Sequence, residues 1–151
     1  SRVPLKDALV AEWDTSNGEY FLLASDTQVL VFQTSNLEVP MISKKTLKLH
    51  SAVFLYVQGR LFVVFGGEGP QISYFAVDNH EDVKCFDSGH TPRVKCLKSV
   101  EVGDMAYLVS ASSDGTIKLW NFTQILNEES PKAITEHNCD LRITCMTVSI
   151  I

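Results

Sequence analysis

Short runs of β-branched and aromatic residues, each closed by a turn signal, recur along the whole chain and constrain it to an all-β fold. The runs at 9–13, 20–24 and 29–33 are separated by Asp14-Thr15-Ser16-Asn17-Gly18 and by Ser25-Asp26. A second group, 52–57, 61–65 and 72–77, is separated by Gln58-Gly59 and by Gly66-Gly67-Glu68-Gly69-Pro70. A third, 94–100, 106–112 and 116–121, turns at Ser113-Asp114-Gly115, and 141–148 starts a fourth. β-Branched and aromatic side chains suit a pleated, half-buried surface. No ten-residue window carries helical periodicity; 124–129 has room for one turn inside a polar connector that ends at Pro131. Pro40 and Pro131 fall in connectors, where the outer strands of each group should begin, and an edge strand tolerates proline.

The groups repeat. Arg93-Val94-Lys95-Cys96-Leu97 and Arg142-Ile143-Thr144-Cys145-Met146 align 49 residues apart, with Arg and Cys coincident and the apolar positions matched. Val10, Val53 and Val94 begin equivalent strands. A period of about 40–50 residues with four short strands predicts propeller blades. The blades are expected at 9–48, 49–88 and 89–137, with a further one starting at 138–151.

The third blade carries the sharpest motif. Gly89-His90 is followed 30 residues later by Trp120, and Ser110-Ala111-Ser112-Ser113-Asp114-Gly115-Thr116-Ile117-Lys118-Leu119-Trp120 lies between. This resembles a WD40 repeat, with Asn121 where the signature has Asp. The resemblance implies an incomplete WD40 β-propeller and a hydrogen-bonded chain through His90, Ser110, Asp114 and Trp120. Burying an imidazole, a hydroxyl and an indole N–H unpaired is costly, and linking them in series to one carboxylate satisfies all four. Asp114 would also hold the Ser113-Asp114-Gly115 turn. A hydrolytic Ser/His/Asp reading is disfavoured, because a nucleophilic serine sits on an exposed strained turn and Ser110 lies inside an apolar strand. The other blades are degenerate. The first keeps Asp26 but has Phe32 for Trp and Leu22 for Ser. The second has Phe75 for Trp and Gly69 for Asp, and Cys139 falls where the next blade would carry its His.

A closer resemblance runs along most of the chain. Val10-Ala11-Glu12-Trp13 with Gly18-Glu19-Tyr20, Gly89-His90-Thr91-Pro92-Arg93-Val94-Lys95, Val109-Ser110-Ala111-Ser112-Ser113-Asp114-Gly115 and Leu141-Arg142-Ile143-Thr144-Cys145 are similar to the C-terminal half of the PAK-kinase-interacting family of WD-repeat proteins. Its fungal branch is a nucleolar factor for assembly of the large ribosomal subunit. That resemblance implies a non-enzymatic scaffold in the nucleolus and nucleus. Its partners would be assembly factors and ribosomal proteins of a pre-60S particle, pre-rRNA backbone and a PAK-type kinase. A WD40 adaptor in another complex is the alternative.

Candidate contact residues come from charge placement. Arg93 and Arg142 stand at equivalent points before the innermost strands of consecutive blades, so both should reach one rim, where arginine anchors protein or phosphate contacts. Lys44, Lys45 and Lys48 form a small basic cluster suited to an RNA backbone. A net charge of −5 excludes a chain-wide basic footprint. Gly66-Gly67-Glu68-Gly69 lacks the following Lys-Ser/Thr of a phosphate loop. His50, His80 and His137 are expected in loops, and the pairs Glu81-Asp82 and Glu128-Glu129 on solvated connectors. The four cysteines (Cys85, Cys96, Cys139 and Cys145) lack zinc spacing and are expected as buried reduced thiols. No metal or other cofactor is expected. Neither an apolar run of membrane-spanning length nor an export signal at 1–9 is read here, so Asn121-Phe122-Thr123 is not read as a glycosylation site. Blades of about 42 residues put three and a half of them in 151 residues. A ring of seven would need roughly 290, the remainder coming from residues beyond this stretch or from another chain.

Overall fold

A computed structural model describes residues 9–14 and 18–139. Twelve strands form three four-stranded antiparallel sheets, each in sequence order. The first holds β1 (Val10–Trp13), β2 (Tyr20–Ala24), β3 (Gln28–Gln33) and β4 (Ile42–Lys45). The second holds β5 (Leu49–Val57), β6 (Arg60–Gly67), β7 (Gln71–Ala76) and β8 (Asn79–Asp87). The third holds β9 (Cys96–Val102), β10 (Met105–Ala111), β11 (Thr116–Asn121) and β12 (Thr135–Asn138). This is the all-β, incomplete WD40 propeller that the repeats predicted. The expected strand at 141–148 lies outside the described residues.

The sheets pack face to face through two apolar layers. Leu22, Val29, Val31 and Ile42 of the first meet Ala52, Phe54, Val63 and Phe75 of the second. Val64, Ile72, Tyr74 and Phe86 of the second meet Leu97, Leu108 and Trp120 of the third. Rings meet edge-on in that second layer, Phe86 and Trp120 with centroids 5.0 Å apart. Full burial of one such side chain is worth about 2 kcal/mol, so these seams are what joins the blades. A third cluster, Leu23, Leu30 and Phe32 with Phe21, lies on the opposite face of the first sheet.

Several elements depart from the sequence reading. Helix α1 (Phe122–Asn127) fills the connector after β11, two residues earlier than the turn expected at 124–129. Asn121 nucleates it: its side-chain oxygen accepts from Thr123 N at 2.9 Å and Gln124 N at 3.4 Å, and Phe122 and Ile125 are buried beneath. Gly66 and Gly67 end β6 instead of belonging to the turn. A Cβ on Gly67 would run into the Lys48 carbonyl, which itself accepts from Glu68 N at 3.1 Å. The turn itself is 68–70. Cys85 is exposed and Cys139 half-buried; only Cys96 of the described cysteines is buried. Cys85 lies on β8, a sheet edge, where consecutive residues from Glu81 to Cys85 are exposed on both faces of the strand. Cys145 lies outside the described residues. His50, His80 and His137 lie on β5, β8 and β12, and Glu81-Asp82 also on β8. β8 and β12 are polar because they are outer edges, and so they imitate loops in sequence, whereas His50 sits at the polar start of the otherwise apolar β5.

The inner edge of the second sheet is closed by its neighbours. β5 leaves backbone N–H groups without a strand partner. Glu101 of β9 accepts from Tyr56 N at 2.7 Å, and Glu12 of β1 accepts from Phe54 N. Burial raises the Glu12 carboxyl pKa; Lys98 and the Phe54 N–H oppose that rise. Among the described residues, no helix is long and apolar enough to cross a membrane.

Candidate functional site

The seam between the second and third sheets holds a buried polar node. Ser110 Oγ lies 2.7 Å from His90 Nε2 and accepts from Trp120 Nε1 at 2.8 Å. All three residues are buried, with Ser110 fully so. β10 and β11 create the node by register: Leu108 pairs with Trp120 and Ser110 with Lys118, which puts the indole and the hydroxyl on one face. Burial, seconded by the Lys118 ammonium, lowers the His90 pKa to about 4, so the imidazole is neutral near pH 7.

Asp114 does not close the chain. His90 Nδ1 is buried without a hydrogen-bond partner, while an Asp114 carboxylate oxygen accepts from Thr116 N at 3.0 Å. Asp114 sits at the exposed tip of the hairpin and turns its side chain onto the backbone two residues ahead, as aspartate does in tight turns. The Thr116 N–H is also the main reason its carboxyl titrates below the usual range. So His90, Ser110 and Trp120 are brought together, and Asp114 holds the turn without touching the imidazole.

The connector into the third sheet is stitched down around this node. Ser88 Oγ donates to Pro70 O at 2.6 Å and accepts from His90 N at 3.2 Å. Lys118 Nζ donates to Ser88 O at 2.6 Å, and Ser112 Oγ to Thr91 O at 2.9 Å. The backbone of Val94 then bonds to Gly67 O at 2.8 Å. This anchorage fixes where Arg93 emerges.

Arg93 emerges into an ion cluster at the rim. Glu68 Oε1 lies 2.7 Å from His50 Nε2 and 3.4 Å from Arg93 Nη1. The His50 hydrogen bond is the main cause of the lowered Glu68 pKa, and the Arg93 and Lys48 charges add to it. One carboxylate therefore sits among Lys48, His50 and Arg93, leaving the rim cationic. Sequence reasoning found Arg93 and Lys48 but not His50 or Glu68. The signal is the β5–β6 pairing: Leu49 lies opposite Gly67 and the register shifts between Leu49 and Ser51, so 50 falls at an irregularity diagonal to 68.

The remaining candidates separate. Lys44 Nζ stands 6.0 Å from the Phe75 ring centroid, in the cleft between the first two sheets, while Lys45 is exposed at the end of β4. Lys48, with φ 49°, forms the bend into β5. Arg142 lies outside the described residues. Among the described residues no group of histidine, cysteine and carboxylate side chains could hold a metal ion.

Comparison with known proteins agrees with this architecture. The model of the WD domain, G-beta repeat, matches residues 80–121, the stretch that contains the node. The p21-activated protein kinase-interacting protein 1 of Mus musculus is 29% identical over 143 residues, 95% of this chain and 36% of that protein. The p21-activated protein kinase-interacting protein 1-like of Xenopus laevis is 30% identical over 142 residues, covering 94% of this chain and 38% of that protein. Protein MAK11 of Saccharomyces cerevisiae is 22% identical over 157 residues, 90% of this chain and 36% of that protein. The chain thus spans a little over a third of the length of these relatives.

Proposed function

With the chain a WD40-repeat protein, homologous along most of its length to the p21-activated protein kinase-interacting proteins and to yeast MAK11, we propose that it is a non-catalytic scaffold in assembly of the large (60S) ribosomal subunit. It would act in the nucleolus and nucleus, and bind assembly factors and ribosomal proteins through its rim. The observation that supports this reading most is the collinear match to a whole segment of that family, running beyond the single motif-bearing blade. The mechanism is positional. Three sheets locked by apolar seams hold the β4–β5 connector, the turn after β6 and the connector before β9 in fixed relation. Arg93 and Lys48 then present positive charge at one rim, and arginine brings a rigid, weakly hydrated fork suited to carboxylate partners.

Charge reversal at Arg93 together with Arg142 tests this reading. The variant is expected to lose co-purification with large-subunit precursors while keeping the wild-type melting temperature. Unchanged co-purification overturns the rim assignment. The name of the vertebrate relatives, p21-activated protein kinase-interacting protein 1, favours a second reading, an adaptor for a p21-activated-type kinase. Sedimentation separates the two: the scaffold travels with pre-60S particles, the adaptor in light fractions with kinase.

A further inference from the structure

Beside the rim, the β4–β5 connector stands off the second sheet and leaves a groove of about 450 Å³ between them. Leu47, Leu49, Phe65 and Val83 give it an apolar floor, with backbone alone at Gly66 and Gly67, and polar side chains, Gln71 and Ser73 among them, complete the wall. Two of these side chains are unusually open, Leu47 at 89% and Val83 at 44% exposure. Exposing a leucine this fully beside an apolar depression leaves burial energy unused in the monomer. Thr46, at the same place, has a buried hydroxyl without a hydrogen-bond partner. The left-handed bend at Lys48 directs the connector, and the missing side chains of Gly66 and Gly67 give the groove depth.

Charge selects what would enter. Lys45 lines the groove and Lys48 adjoins it, while Lys44 lies behind over Phe75. The carboxylate at the mouth, Glu68, is already matched by His50 and Arg93. Glu81 lies further along β8, paired with His80 at 3.6 Å. The mouth is therefore locally positive on a chain of net charge −5.

We propose that this groove docks an extended acidic segment of a partner protein, which inserts one large apolar side chain beside Leu47 and Val83. The carboxylates of that segment meet Lys45 and Lys48. An apolar anchor between charges is a peptide's chemistry. A nucleic-acid backbone would make no use of Leu47, Val83 or the apolar floor, and base stacking needs an open aromatic face, whereas Phe65 is half-buried.

The test is fluorescence anisotropy with the full-length protein and an array of labelled nonapeptides. Each carries a central Leu, Phe or Trp flanked by Asp and Glu. Binding by at least one member is expected, with a loss of about tenfold or more when its centre becomes Ala. Leu47→Asp should weaken that binding about tenfold or more, and Lys45→Glu several-fold. Both positions are exposed, so circular dichroism should stay unchanged. No binding by any member overturns the proposal, as does binding that Leu47→Asp leaves intact. Equal competition by single-stranded oligouridylate of matched charge overturns it in favour of RNA. A groove already filled by another part of the protein would protect Leu47→Cys, made on a Cys85→Ser background, from a thiol reagent; that result overturns it too. Leu47→Asp leaves Arg93, His50 and Glu68 in place, so the groove and the rim assignment fail separately.

Discussion

The second and third sheets solve one packing problem with opposite chemistry. Val63 pairs with Phe75 as Leu108 pairs with Trp120, so Phe65 and Phe75 occupy the places of Ser110 and Trp120. In the third sheet the two positions share a 2.8 Å hydrogen bond; in the second, two rings meet edge-on with centroids 6.1 Å apart. An aromatic pair draws on area and tolerates small shifts, adding about 0.5–1.5 kcal/mol to its burial. A buried hydroxyl gains little net energy from its bonds, but each group it serves becomes costly once left alone. The apolar solution should fail through lost volume and the polar one through lost pairing.

The largest effect is expected where volume matters most. Phe75 is buried to 1% exposure and contacts the layer between the first two sheets. Phe75→Ala should cost about 4 kcal/mol by urea unfolding, and Phe75→Leu clearly less. Ser110→Ala removes only one oxygen, yet it strands the Trp120 N–H and the His90 imidazole, and about 3 kcal/mol is expected. Trp120→Phe added to Ser110→Ala should recover part of that loss, because the stranded donor is gone. If Ser110→Ala costs less than about 0.5 kcal/mol, the node is no more than packing and the contrast with Phe65 disappears.

Proton linkage separates the sheets next. His90 belongs to the third-sheet node, and burial holds its pKa at about 4 against the ordinary 6.5. The unfolded chain therefore binds this proton first. Stability from the neutral His90 is complete above pH 6.5 and is lost as pH falls toward 4. Within that window the folding constant should drop by up to about tenfold per pH unit. His90→Gln should flatten this component, and Phe75→Leu should not. Parallel slopes in wild type and His90→Gln would show that the imidazole is not held neutral.

How much was legible follows from how each element earns its place. Inner and middle strands bury alternate or consecutive side chains, so 20–24, 61–65 and 106–112 read directly as strands. β4, β8 and β12 are edges; Ile42-Ser43-Lys44-Lys45 offers one buried side chain, Ile42, and Thr135-Glu136-His137-Asn138 none. α1 is too short for periodicity and depends on one cap, Asn121. Leu22 shows how counting fails. It matches Ser110 when counted from the hairpin Asp, but it pairs with Val31 and faces the second sheet. The first hairpin is one residue shorter between paired strands, 25–28 against 112–116, so Leu23 takes the face that carries Phe32. The carboxylates of Glu12 and Glu101 were invisible because their partners are backbone groups of another sheet. Of the candidate site, Arg93 was visible as a charge, whereas its clamp by Glu68 needed the bridge between 68 and 93 that joins the turn after β6 to the connector before β9.

The smallest effect should come from the residue that sequence analysis made the end of the polar chain. In a closed series, Asp114→Asn would remove the charge that completes His90 and approach the Ser110→Ala cost. Here Asp114 is exposed, and its carboxylate serves the hairpin itself, chiefly through the hydrogen bond from Thr116 N. An asparagine oxygen accepts that bond equally well. Asp114→Asn should therefore cost less than about 0.5 kcal/mol, in the range of surface substitutions. Its one distant effect is electrostatic, because the Asp114 charge slightly favours protonated His90. Removing it should lower the acid limb of His90 a little further. Loss of stability comparable to Ser110→Ala would mean that the carboxylate reaches the imidazole in solution and that the third sheet has a four-membered node.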